Sequence, residues 1–168
     1  IVWDPENREI IGGYRFYFPE KGQSEYDINK LASSAYFHFS DKFMKKYFPH
    51  LMELGRSFVH PDYQSRNMGR KSLFALDNLW DGLGAVWLKH PHVKYFFGKV
   101  TMYTTYNREA RDLILFFLNK YFPDRENLVL PFEPLELSTD PQLLASILSA
   151  GNYADDYKLL SQSVRARG

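Results

Sequence analysis

A strand-break-helix junction constrains this sequence more than any other feature. Leu51 to Val59 reads as a β-strand, His60-Pro61-Asp62 breaks it because proline cannot continue a central ladder, and Gly69 to about Lys89 reads as a long helix. The helical reading rests on Leu73, Leu76, Trp80, Leu83 and Trp87, apolar residues recurring at three- and four-residue steps. In an open sheet the cleft beyond the carboxyl end of such a strand binds ligands, because the next helix offers unpaired amides there. The site is therefore expected at residues 53 to 70.

The remaining segments supply partners for that junction. Val2-Trp3 and Ile10 to Phe18 are apolar, aromatic and β-branched runs around the turn-forming cluster Asp4 to Glu9, which predicts a β-hairpin. Gly12-Gly13 in its second arm permits a bulge or a close backbone approach. Tyr36 to Phe39 predicts a short strand, and Ser40 is placed to cap a helix from Asp41 to Phe48 that Pro49 ends. Tyr95 to Tyr103 predicts another strand, and Asn107 caps a second strong helix running to Tyr121. After an extended, proline-marked connector, Pro141 to Ser149 and Tyr153 to Arg165 predict two shorter helices. With no internal repeat and no dividing linker, residues 1–168 read as one domain of α/β (α+β) class. The chain begins at Ile1 rather than Met and enters strand-like sequence at once, which reads as a piece of a longer polypeptide.

Composition removes several kinds of chemistry. A formal charge of +1 lacks the concentrated excess of Lys and Arg that nucleic-acid binding needs, so any basic patch is local. The absence of cysteine excludes disulfides, thiolate metal sites and a Cys nucleophile. His38, His50, His60, His90 and His92 show no metal-ligand spacing, and no metal is expected. No apolar run approaches the roughly 18–20 residues that span a bilayer. Aromatic residues, at 17%, are abundant enough to fill a core or line a pocket.

Within the junction, Glu53 and Arg56 lie three apart, and on a regular strand such residues point to opposite faces. Either they pair separately at a sheet edge, or a bulge near Gly55 brings both to one cleft. Arg66, Gly69 and Arg70 at the helix start suit an anion such as phosphate; the alternative is an ordinary solvated helix start. Phe37 and Phe39, with Phe43, Phe48 and Phe58, could line an apolar tunnel or simply form core. Tyr103 and Tyr106 lie at the predicted end of the later strand, either beside a bound group or packed.

These residues carry a resemblance. Glu53-Leu-Gly-Arg-Ser-Phe-Val-His-Pro-Asp-Tyr63 resembles the core signature of a branch of the GCN5-related N-acetyltransferase (GNAT) superfamily. This hemolysin-like branch of ornithine and glycine N-acyltransferases is akin to acyl-homoserine-lactone synthases. Val2-Trp3-Asp4-Pro5, Ile11-Gly12-Gly13-Tyr14-Arg15, Ser24-Glu25-Tyr26-Asp27, Leu79-Trp80-Asp81-Gly82-Leu83 and Tyr95-Phe96-Phe97-Gly98 support it, over most of residues 1 to 122. It implies a mixed, largely antiparallel sheet flanked by helices, here trimmed at both ends. It further implies transfer of a fatty, in some members 3-hydroxylated, acyl chain from acyl carrier protein or coenzyme A to the amine of glycine or ornithine. No bound cofactor is implied, and the location would be cytoplasmic, with peripheral association at the inner membrane. Glu53 would be the general base, Arg56 would bind the acceptor carboxylate or orient Glu53, and an amide near Phe58 or Val59 would meet the oxyanion. Arg66, Gly69 and Arg70 would hold the donor, with Phe37, Phe39 and Tyr103 at the acyl pocket. One departure is Lys71, which stands where the superfamily's donor loop keeps a small residue and so favours a carrier protein as donor. A signal synthase using S-adenosylmethionine and a non-catalytic binding domain are the alternatives.

Overall fold

The computed structural model describes residues 1–19, 27–64 and 70–167, the side chains of 70–76 excepted. The chain forms two compact units, Ile1–Lys99 and Val100–Gly168.

The first unit is built on a sheet of four strands in the order β1 (Val2–Asp4), β2 (Glu9–Tyr17), β4 (Leu51–Val59), β5 (Tyr95–Gly98). The first three run antiparallel to their neighbours, and β5 is parallel to β4. This is the mixed, largely antiparallel sheet expected. The β1–β2 turn is tied by Asp4, whose Oδ1 accepts from the Glu6 and Asn7 amides at 2.9 and 3.2 Å. An aspartate bonding backbone two and three residues on is how such turns close.

Helix α1 (Arg70–Lys89) covers one face of this sheet. Leu83 packs with Met52 and Val93, and Tyr14, Phe18, Leu54 and Val86 lie against them. Two glycines permit the approach: a Cβ at Gly12 would lie 2.7 Å from the Phe58 carbonyl oxygen, and one at Gly82 would lie 2.9 Å from the Tyr14 hydroxyl. The stripe facing the sheet is Leu79, Leu83 and Val86, whereas Trp80 and Trp87, expected on the buried face, are exposed.

The opposite face lies under the segment from Leu31 to His50, which contains strand β3 (Phe37–Phe39). Ser40 caps as expected, its hydroxyl accepting from the Phe43 amide at 3.1 Å, but the helix then widens to π geometry over Phe43–Tyr47 before a 3-10 turn, Phe48–His50. The reason is packing. In an α-helix residues five apart diverge by roughly 140°, whereas the wider π turn brings them nearly into line. Phe43 and Phe48 are both buried here.

The second unit holds α2 (Arg108–Tyr121), β6 (Val129–Pro131), α3 (Pro141–Ile147) and α4 (Tyr153–Arg165). Asn107, Asp140 and Asn152 cap the three helices through side-chain oxygens. Leu113, Phe117, Leu144, Leu148 and Leu160 form its core. Buried Asp112 accepts from the amides and hydroxyls of both Ser138 and Thr139 at 2.8–2.9 Å, and from Arg111. Buried Asp156 accepts from Lys120, Tyr121 and the Ala150 amide.

Candidate active site

Strands β4 and β5 pair only from Leu51 with Tyr95 to Leu54 with Gly98, and from Gly55 to Val59 β4 continues paired with β2 but not with β5. Gly98 permits the last close contact, because a Cβ there would lie 2.7 Å from the Leu54 carbonyl oxygen. Beyond it, no strand among the described residues pairs with that edge of β4.

A bulge interrupts β4 at the same level. Gly13 faces Phe58 and Arg15 faces Gly55, so Arg56 and Ser57 together stand opposite Tyr14. The irregularity falls where the Glu53–Arg56 spacing predicts it, but the residue in the left-handed region is Arg56, at φ +52°, and not Gly55. A non-glycine residue there costs on the order of 1–3 kcal/mol. The bulge resets the alternation: Glu53, Gly55 and Phe58 now share a face with Gly13, Arg15 and Tyr17. A Cβ built on Gly55 meets no atom within 4 Å.

The bulge also turns the backbone. The Leu54 carbonyl lies against Gly98 of β5, while the Phe58 carbonyl lies against Gly12 of β2. The His60 amide donates to Ile11 O on β2 at 2.7 Å. Directions alternate along a strand, so the Val59 N–H and C=O point to the open edge. The side-chain amide of Gln64 donates to that Val59 carbonyl. The Val59 N–H is thus a backbone donor aimed at the gap between β4 and β5.

Glu53 is buried, with 5% of its surface exposed. Its Oε1 accepts from the Ser33 amide at 2.9 Å and the Ser33 hydroxyl at 2.7 Å, and its Oε2 accepts from the Ala32 amide at 2.7 Å. The carboxylate pins the Ala32–Ser33 turn to the sheet, a contact the sequence reading missed; the serine pair Ser33-Ser34 was its only signal. Arg56 is exposed, and no ion pair joins it to Glu53 among the described residues.

Phe58 is exposed at the bulge and Val59 half-buried. Arg66 and Gly69 lie outside the described residues, as do Ser24, Glu25 and Tyr26; Arg70 is the first residue of α1. Phe39 packs on Phe43 and Phe97, with ring centroids 4.9 and 6.0 Å apart, and Phe37 is half-buried on β3. Phe39 therefore contributes to an aromatic cluster in the layer over β4. Tyr103 requires a correction: β5 ends at Gly98, so Tyr103 lies on the following loop, 65% exposed, its ring edge-on to Tyr106. The Gly98 contact with Leu54 closes the ladder, and the Lys99-to-Thr105 stretch, with its turn at 104–105, does not extend it.

Residues 1–72 match the family model described as the acetyltransferase (GNAT) domain. Along its whole length the chain is 50% identical to a glycine N(alpha)-acyltransferase of Phocaeicola vulgatus, covering 52% of that protein. It is 53% identical to a glycine N(alpha)-acyltransferase of Bacteroides thetaiotaomicron, covering 50% of it. The chain spans about half the length of the curated relatives it matches. No solved structure matches.

Proposed function

We propose, from this kinship with GNAT-type acyltransferases, that the chain carries the acyl-transfer chemistry of a glycine N-acyltransferase. A fatty acyl group would pass from a thioester of acyl carrier protein or coenzyme A to the amine of glycine, in the synthesis of N-acyl amino-acid lipids. One observation carries the reading: half-identity to two glycine N(alpha)-acyltransferases extends through both compact units. The relatives' names favour glycine over ornithine and over an S-adenosylmethionine acceptor.

The geometry suits the step. The glycine nitrogen attacks the thioester carbonyl, the carbon–sulfur bond breaks, and the thiol leaves. Negative charge that develops on the carbonyl oxygen needs a donor already in place. The Val59 N–H on the open edge of β4 is that donor in this reading. Arg56, exposed on the bulge beside Gly55, receives the glycine carboxylate, a charge-assisted contact that an arginine fork makes well. Glu53 takes the ammonium proton through water at Oε2, whose one partner among the described residues is the Ala32 amide. The donor phosphate belongs to the Arg66, Gly69 and Arg70 segment.

The test is product analysis. Purified full-length protein is supplied with a long-chain acyl thioester, on carrier protein or on coenzyme A, and an equimolar mixture of glycine, ornithine and other small amines. Mass spectrometry should find N-acylglycine in excess. Acylation of a different amine, or thioester left unconsumed, overturns the reading.

A further inference from the structure

We infer that the end of the first unit away from the bulge is a docking surface for an anionic lipid bilayer. The amino-terminal ends of β4 and β5 and the carboxyl end of α1 meet there, the Lys94 amide donating to His50 O at 2.7 Å. The sequence around this end has an unusual charge pattern. Residues 42–52 and 82–98 contain five lysines and no Asp or Glu, in a chain whose net charge is only +1. Lys45, Lys46, Lys89 and Lys94 are all exposed. The acids on α1 nearest this end, Asp77 and Asp81, lie twelve and eight residues before Lys89.

Large apolar side chains stand among these lysines. Leu88 is 75% exposed, and Trp87, Tyr95 and Phe96 are also exposed. The Trp87 indole N–H donates to Val93 O at 2.8 Å, which fixes the ring at the rim of a cavity of about 510 Å³. Pro91, Val93, Lys94, Tyr95 and Phe96 complete its lining. Tyr95 packs on Tyr47 at 5.2 Å, and Lys46 lies 5.3 Å from the Tyr47 ring, so both segments belong to one face.

Tryptophan, tyrosine and leucine rimmed by lysines without acids suit the boundary of a bilayer. The rings enter the headgroup layer, and the lysines meet negative headgroups. An acidic protein would match the lysines but leave Leu88 and Phe96 facing polar surface. The proposal does not depend on the acyl-transfer reading, because membrane binding is measured without turnover.

The full chain is mixed with vesicles of phosphatidylcholine, alone or with phosphatidylglycerol, and sedimented. Binding should require the anionic lipid and weaken as salt rises. The Lys89→Glu, Lys94→Glu double variant should reduce partition roughly tenfold or more. Leu88→Glu should also reduce it, with circular dichroism confirming that both variants fold. Lys158→Ala, in the second unit, should bind as the parent does. No binding to anionic vesicles, binding unchanged in both variants, or capture instead by immobilised acyl carrier protein through the same lysines would overturn the proposal.

Discussion

Arg56 occupies a backbone conformation that glycine adopts freely, beside a glycine that does not use it. Strain of this kind persists where function requires the side chain. Arg56→Gly should therefore hold or raise the melting temperature while raising the KM for glycine by roughly 10–100-fold, the loss of one charge-assisted contact. An unchanged KM with a lower melting temperature would make Arg56 structural. Glu53→Gln acts differently. Three donors face its two oxygens, so an amide nitrogen must confront one of them, leaving a buried group unsatisfied at about 1–3 kcal/mol. Thermal melting should fall by about 2–10 °C, and turnover by about 10²–10⁴-fold beyond it if the carboxylate is the base. A melting shift with normal turnover would leave Glu53 as an anchor for the Ala32–Ser33 turn alone. The Glu53–Arg56 spacing made the bulge legible but not its result: the register sets Arg56 and Ser57 opposite Tyr14, off the face that Glu53 shares with Gly55 and Phe58. The sequence could not reveal that Glu53 is engaged by the Ala32–Ser33 turn, a contact 20 and 21 residues distant along the chain.

Capped helices were the easiest elements to foresee. Asn107 sits directly before α2, which begins where that cap predicts, and α4 begins at Tyr153 as expected, with Asn152 as its cap. Helix α1 was legible in extent but not in orientation. Leu79, Trp80, Leu83, Val86, Trp87 and Leu88 give it two apolar stripes, and spacing alone cannot say which one packs. The π turn and the early end of β5 depend on aromatic packing and on one glycine contact, neither of which has a local pattern. In the second unit the α2–α3 connection rests on Asp112. Burial pushes its carboxyl up, but bonds from Arg111, Ser138 and Thr139 outweigh this and hold it well below the usual carboxylate range. Asp156 is depressed for similar reasons: burial opposes, and Lys120 and Tyr121 prevail. A depressed folded-state value contributes stability that is present above the ordinary carboxylate range and lost as pH falls toward the folded value. Melting temperature should thus be level near neutrality and decline below about pH 4. Asp112→Asn should melt lower at pH 7 and show a shallower acid decline. An acid limb unchanged in that variant would remove Asp112 from the account.

At the scale of the molecule, no Gly/Ser run or charge block marks the junction between Lys99 and Val100, so the division into two units was not legible. Kinship to the glycine N(alpha)-acyltransferases runs through both units, while the family model covers the hairpin, β4 and the start of α1. The first unit is where sheet, bulge and open edge meet, and there the acyl-transfer reading turns on one backbone donor. Val59→Pro tests it directly. The Val59 N–H points away from β2, so its loss removes no ladder bond and should lower the melting temperature only slightly. Turnover of acyl thioester with saturating glycine should fall by about 10²–10³-fold, the effect of losing an oxyanion donor. A folded Val59→Pro protein that acylates glycine at the parent rate would contradict the placement of the reacting carbonyl at this edge of β4.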